Sequence, residues 1–207
     1  MSYSHGPKIV TDNLVLCLDA ANTKSYPGSG STWYDLSGSN NHGILGTASL
    51  WNSSGKFMSF DGLSNNNIVV GSVPQVQRDI IIGLYSDGSS GTGLQMVYGV
   101  NDKDHSFRTE NGSIIYTNTN SNDFSYEYED DIRLNGQNIS ENTDIVGRWT
   151  IIRLVSRYTN SFIYSISSNL YNRRYKGKIQ FIHAYSSILS NEKINQNYNA
   201  LKGRFGL

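Results

Sequence analysis

The chain is short of the residues that staple, stiffen or charge a protein. Of its 207 residues one is a cysteine, Cys17. One cysteine makes no internal bridge, so the disulfide-rich class is excluded. Charged residues are 16%, against about 25% in an average domain. Seventeen Lys and Arg balance seventeen Asp and Glu, which leaves no whole-chain electrostatic footprint for nucleic acid or an anionic membrane. No apolar run approaches the roughly 18 residues of a membrane helix. The opening MSYSHGPKIV has no apolar core of a secretory leader. The four histidines, His5, His42, His105 and His183, are dispersed. None stands two to four residues from another His or Cys, as metal-binding patterns require.

Polarity comes instead from uncharged side chains. Twenty glycines, fourteen tyrosines and only three prolines, with abundant Ser and Asn, describe short strands joined by many turns. A chain of this length buries about 70% of its extended surface and needs no staple. Residues 1–13 read as an N-terminal arm or edge strand, and 14–207 as one domain. Apolar or alternating runs predict strands at Leu14–Asp19, Phe57–Phe60, Ile68–Val70, Ile80–Tyr85, Leu94–Val100, Ser106–Thr109, Ser113–Thr117, Ile132–Leu134, Trp149–Tyr158, Ser161–Ser167 and Lys178–Tyr185. Asn111-Gly112 and Asn135-Gly136 are hairpin signals, because both central residues of a type I′ turn need positive φ. Thr159-Asn160 reads as a tight turn between the strands on either side. Ser190-Asn191 opens the one convincing helix, roughly 191–202. Ile194, Tyr198 and Leu201 form its apolar stripe, and Gly203 stands at its C′ position. The first and last apolar strands, Leu14–Asp19 and Lys178–Tyr185, are expected to pair.

Candidate chemistry is sparse. Glu127-Tyr128-Glu129-Asp130-Asp131 places carboxylates on one strand face, as glycoside hydrolysis requires. It departs from the Glu-x-Asp-x-Glu pattern of sandwich glucanases and reads as a solvated acidic face. Asp61 with Asn65 and Asn67, or Asp19 with Asp35, could offer oxygens to a structural calcium. Asp and Asn in turns more often bond their own backbone, and no cofactor is expected. Cys17, in the most apolar strand, reads as a small core residue. No nucleophile–base motif is present, so no catalytic residue is assigned. Trp33 and Trp51 flank turn-rich segments. With Tyr34, Tyr126 and Tyr128 they are the candidate contacts for a glycan or a partner, whereas Trp149 opens an apolar strand and reads as core.

Two blocks together resemble a known family. The first is Leu14-Val-Leu-Cys-Leu-Asp-Ala20, Tyr26-Pro-Gly-Ser-Gly30, Trp33-Tyr-Asp-Leu-Ser-Gly38-x-x-Asn41-x-Gly43 and Phe57-x-x-Phe60-Asp-Gly62. The second is Gly147-Arg-Trp149, Tyr175-x-Gly177-x-Ile179 and the ending Ser-Ser-Ile-Leu-Ser190-Asn-Glu-Lys-Ile194. These are similar to the laminin-G-like, concanavalin A-like jelly rolls of tailed-phage and related viral structural proteins. Gly6-Pro-Lys-Ile-Val-Thr11 looks like the lead-in of such proteins. The resemblance covers 6–70 and 147–207, and residues 71–146 leave the pattern. It implies an all-β sandwich of two antiparallel sheets with a C-terminal helix. It also implies a non-enzymatic virion protein (capsid decoration, fibre, or tail or baseplate component), present in multiple copies and contacting other virion proteins. A carbohydrate-binding module for host attachment is the alternative. A glycan hydrolase is a third reading, disfavoured by the broken carboxylate pattern.

Overall fold

The computed structural model describes residues 8–47, 50–63, 66–73, 77–88, 94–100, 106–110, 113–115, 132–139, 143–156, 162–167 and 173–207. Fifteen strands and one α-helix occur among them. One sheet orders its strands β12 (Gln137–Asn138), β11 (Ile132–Leu134), β13 (Trp149–Val155), β7 (Asp79–Ser86), β15 (Lys176–Tyr185), β5 (Phe57–Asp61) and β4 (Trp51–Asn52). The ten-residue β15 is long enough to hold two partners end to end on one edge. It pairs β5 through 176–179 and β1 (Leu14–Asp19) through 181–185. The second sheet runs β10 (Ser113–Ile115), β9 (Ser106–Glu110), β8 (Leu94–Val100), β14 (Phe162–Ile166), β6 (Ile68–Val73), β3 (Gly43–Leu45) and β2 (Thr32–Trp33). Every strand pair among the described residues is antiparallel. The fold is therefore a jelly-roll β-sandwich.

Period-two alternation decides which residues meet between the sheets. Leu16 and Leu18 of β1, Met58 and Phe60 of β5, and Ile80, Ile82 and Leu84 of β7 all enter the core. There they meet Trp33, Ile68, Val70, Tyr98 and Tyr164 from the second sheet. The eight-stranded sheet is buried on its outer side as well. Ile81, Ile151, Phe181 and Tyr185 form a second cluster with Val10 of the arm, Leu189, and Ile194 and Leu201 of the helix. Gly83 makes this layer possible, since a Cβ there would stand 2.4 Å from the Phe181 ring.

Most expected elements are present, β1 pairs β15 as expected, and four readings need correction. Thr159-Asn160 lies outside the described residues, but the strands flanking it do not form a hairpin. β13 belongs to one sheet and β14 to the other. Trp149 is half-buried outside the sandwich interior, stacked 4.7 Å from Phe205 at 15°. The helix α1 (Asn191–Leu201) begins at the Ser190 cap as expected, yet Gly203 takes no left-handed conformation. The chain continues through a 3-10 turn at Lys202–Arg204 instead. Finally, the fully buried helix face is Ile194, Asn197 and Leu201, with Tyr198 half-buried beside it.

Candidate functional site

The residues singled out from the sequence fall largely in the block that wraps the edge of β1. Asp35 organises it. Its carboxylate accepts from the backbone N–H of Cys17 (2.7 Å), Ser37 (2.9 Å) and Asn41 (3.0 Å), and from the Ser37 hydroxyl (2.7 Å). Asn41 in turn donates to the Val15 carbonyl at 2.8 Å. These bonds pin an irregular loop to a strand edge that would otherwise expose orphan backbone groups. Asp19 is likewise committed, accepting from Ala21 N–H and pairing with Arg204 at 2.9 Å. Asp35 and Asp19 thus spend their oxygens on the fold. Asp61 accepts from Leu63 N–H, while Asn65 lies outside the described residues. Among the described residues no three His, Cys, Asp or Glu side chains group around a point that could hold a metal ion.

The aromatic candidates separate. Trp33 is fully buried in the core, so its indole offers no face to a ligand, and the surface contact read for it is corrected. Tyr34, its neighbour, is 43% exposed and packs edge-on to His42 at 5.3 Å. His42 Nδ1 accepts from Asp35 N–H at 3.0 Å, which fixes the ring. Trp51, on the short edge strand β4, is half-buried 5.0 Å from the Tyr26 ring. The Tyr26–Gly30 loop is held over it by the Tyr26 hydroxyl donating to the Gly30 carbonyl at 2.8 Å. Tyr126 and Tyr128 lie outside the described residues, as do Glu127, Glu129 and Asp131.

The two sheets present different outer surfaces. The arm and helix cover the eight-stranded sheet. On the seven-stranded sheet Ile44 and Val69 are direct cross-strand partners, and they are 50% and 40% exposed. They continue a row that begins at Thr32 of β2. Sequence reading missed this pair. The available signal was alternation: Gly43 and Leu45, and Ile68 and Val70, point inward, so the residues between them point out.

Buried polar groups elsewhere serve the fold. Arg153 donates to both Asp79 oxygens, Nη2 to Oδ2 at 2.7 Å and Nε to Oδ1 at 3.0 Å. Asp79 also accepts from Leu189 N–H at 3.0 Å. Burial pushes the Asp79 carboxyl up and Arg153 opposes that shift. Burial likewise raises the Cys17 thiol to about 12, helped by Asp19 and Asp35.

No family model matches the chain, and no curated protein matches it in sequence. Solved structures do match in fold. A Trypanosoma rangeli sialidase in complex with sialic acid superposes with a TM-score of 0.56 at 11% identity, over 97% of this chain and 36% of the sialidase. The chain therefore spans about a third of that enzyme's length. Domain 4 of AbnA, an extracellular arabinanase from Geobacillus stearothermophilus, in complex with arabinotriose, gives a TM-score of 0.53 at 12% identity, over 94% of this chain and 100% of that domain. The binding domain of a botulinum neurotoxin of serotype D/C gives 0.50 at 13% identity, over 92% of this chain and 53% of that one. At these identities the likeness is one of fold.

Proposed function

We propose that this chain is a non-catalytic structural component of a virus particle, present in multiple copies and acting through protein–protein contact. The observation that carries the reading is the unequal pair of outer faces. One is largely covered by the protein's own arm and helix, and the other carries the exposed cross-strand pair Ile44 and Val69. Branched aliphatic side chains on a strand surface suit a packed protein neighbour, because they bury apolar area without a polar atom to satisfy. They lack the flat aromatic face on which a sugar stacks. The balanced charge fits contact without long-range steering. The opening and closing blocks, similar to those of virion proteins, supply the framework: β1, β5, β15 and α1. The occupant proposed for the face is another subunit of the particle.

Mass spectrometry of purified particles tests this directly, with the chain expected in structural rather than trace amounts. An Ile44→Asp/Val69→Asp variant that melts like the parent should no longer be incorporated. Absence of the chain from particles, or normal incorporation of the variant, would overturn the reading.

A second reading, attachment to a surface glycan, is favoured by Tyr34 against His42 and Trp51 beneath the Tyr26–Gly30 loop. Sandwich neighbours whose complexes hold sialic acid or arabinotriose give it support from fold alone. It predicts glycan-array binding that Tyr34→Ala and Trp51→Ala each weaken.

A further inference from the structure

The covered face of the eight-stranded sheet is not filled everywhere. Beside the arm, the helix and the turn that follows it lies a cleft of about 500 Å³. That falls within the roughly 300–1,000 Å³ of small-molecule sites. Cys17 and His183, direct cross-strand partners, stand in its wall. Neither offers a polar contact. Both His183 ring nitrogens are buried beneath the surface. Burial also holds the ring neutral at pH 7, with its pKa lowered to about 4. The other apolar groups come from distant parts of the chain: Ile9 of the arm, Leu14 of β1, Leu36, and Ala200 and Leu201 of the helix.

Charge in the cleft is unequal. Lys8 and Arg204 line it, and Asp19 is the one carboxylate that does. Asp19 is already committed. Its side chain is buried, Arg204 Nη1 stands 2.9 Å from each of its oxygens, and Oδ1 also accepts from Ala21 N–H. Arg204 is a third exposed and gives Asp19 only Nη1. A guanidinium carries five N–H donors, so those on Nε and Nη2 are not spent on Asp19. Lys8 is exposed, and its ammonium pairs with no carboxylate among the described residues. Two cations against one carboxylate leave one positive charge in surplus beside an apolar wall.

We propose that this cleft binds an amphipathic monoanion, an organic carboxylate with a hydrocarbon body of the fatty-acid kind. Its carboxylate faces Lys8 and Arg204, and its hydrocarbon lies against Leu14, Leu36 and Leu201. Each half of the guest answers one half of the cleft. The carboxylate supplies the missing negative charge through charge-assisted hydrogen bonds, the strong kind. The hydrocarbon takes the apolar wall out of water. A neutral hydrocarbon would leave the surplus charge unanswered, and a compact inorganic anion would leave the apolar wall wet. The site lies on the sheet opposite Ile44 and Val69 and uses neither Tyr34 nor Trp51. Its failure would leave both readings of the previous subsection standing.

The test is a titration of the isotope-labelled full chain with octanoate, hexanoate, 1-octanol and inorganic phosphate, each alone. The readout is the methyl signals of Leu14, Leu36 and Leu201 and the Nε signal of Arg204. Octanoate is expected to shift both sets saturably. Hexanoate, two methylenes shorter, should bind about fifteenfold more weakly, at about fourfold per buried methylene. Octanol lacks the charge and phosphate lacks the chain, so each should bind at least about tenfold more weakly than octanoate. Lys8→Glu is an exposed substitution that removes the surplus charge. It should keep the parent's melting temperature, weaken octanoate by about tenfold or more, and leave octanol unchanged. Leu36→Ser at the exposed rim should weaken octanoate and octanol alike. No saturable shift with octanoate, octanol or phosphate binding as tightly as octanoate, or undiminished octanoate binding by Lys8→Glu would each overturn the assignment.

Discussion

At the scale of single residues, burial controls the chemistry of two side chains that the sequence presents as ordinary. His183 is held neutral, with its pKa lowered from 6.5 to about 4. As pH falls, the unfolded chain takes up this proton first. The stabilisation is therefore complete above about pH 6.5 and is lost progressively towards pH 4, by about 3 kcal/mol in total. Urea midpoints measured across that window should fall steeply for the parent and less for His183→Phe. Cys17 is the counterpart. With its thiol moved from 9.0 to about 12, its thiolate fraction at neutral pH drops about a thousandfold. Alkylation by iodoacetamide should be slower than in a free peptide by at least that factor, and denaturant should restore it. Prompt labelling of the folded chain would contradict the burial described here. That Cys17 is a core residue was legible from its apolar strand. The state of His183 was not, because it depends on Phe181 and the helix above it.

At the scale of elements, the helix shows how far a periodic pattern carries. Its start was readable from Ser190, whose hydroxyl accepts from Lys193 N–H. Two anchors, Ile194 and Leu201, were readable from their spacing. An isolated helix of 11 residues is marginal in water, so docking must hold it. Ile194→Ala should cost about 2–4 kcal/mol in a urea unfolding experiment, and an unchanged midpoint would show the helix undocked. Asn197 was invisible to a hydrophobicity pattern, yet it is fully buried on the same face. Its carbonyl oxygen accepts from Val10 N–H at 2.8 Å, and its amide donates to the Tyr185 hydroxyl at 3.1 Å. That hydroxyl donates to the Val10 carbonyl. A polar residue on an apolar stripe ties the arm, β15 and the helix together. The Asn135-Gly136 turn is the opposite case. Leu134 pairs Gln137 across it and both turn residues have positive φ, as the dipeptide alone indicated.

For the whole molecule, the decisive contacts join distant parts of the chain. The Asp79–Arg153 pair links β7 to β13, and through Leu189 N–H it fixes the approach to the helix. Asp79→Ala removes the buried carboxylate that Arg153 grips with Nε and Nη2, so it should lower stability by about 3–5 kcal/mol, read as a drop in denaturant midpoint. A change below about 1 kcal/mol would show that the pair contributes little to stability. The same long-range ties define the two outer faces. Docking of the arm and helix leaves the seven-stranded sheet as the side where Ile44 and Val69 remain exposed.

Alternation, turn dipeptides and the helix cap are local, and they determined most strands, the 135–136 hairpin and the helix without reference to anything distant, whereas the sandwich class followed from the resemblance of the opening and closing blocks. What lay beyond them was set by pairing across the fold. The β13–β14 connection looks like a hairpin in sequence, but each strand finds its partners elsewhere, β13 beside β7 and β14 beside β6 and β8. Trp33 and Trp51 sit in similar turn-rich surroundings, and only the packing of one sheet on the other buries the first and leaves the second at an edge. The cleft beside Cys17 and His183 joins residues 8–36 to residues 183–204. No spacing along the chain encodes it, because its walls meet only when the last long strand lies beside the first.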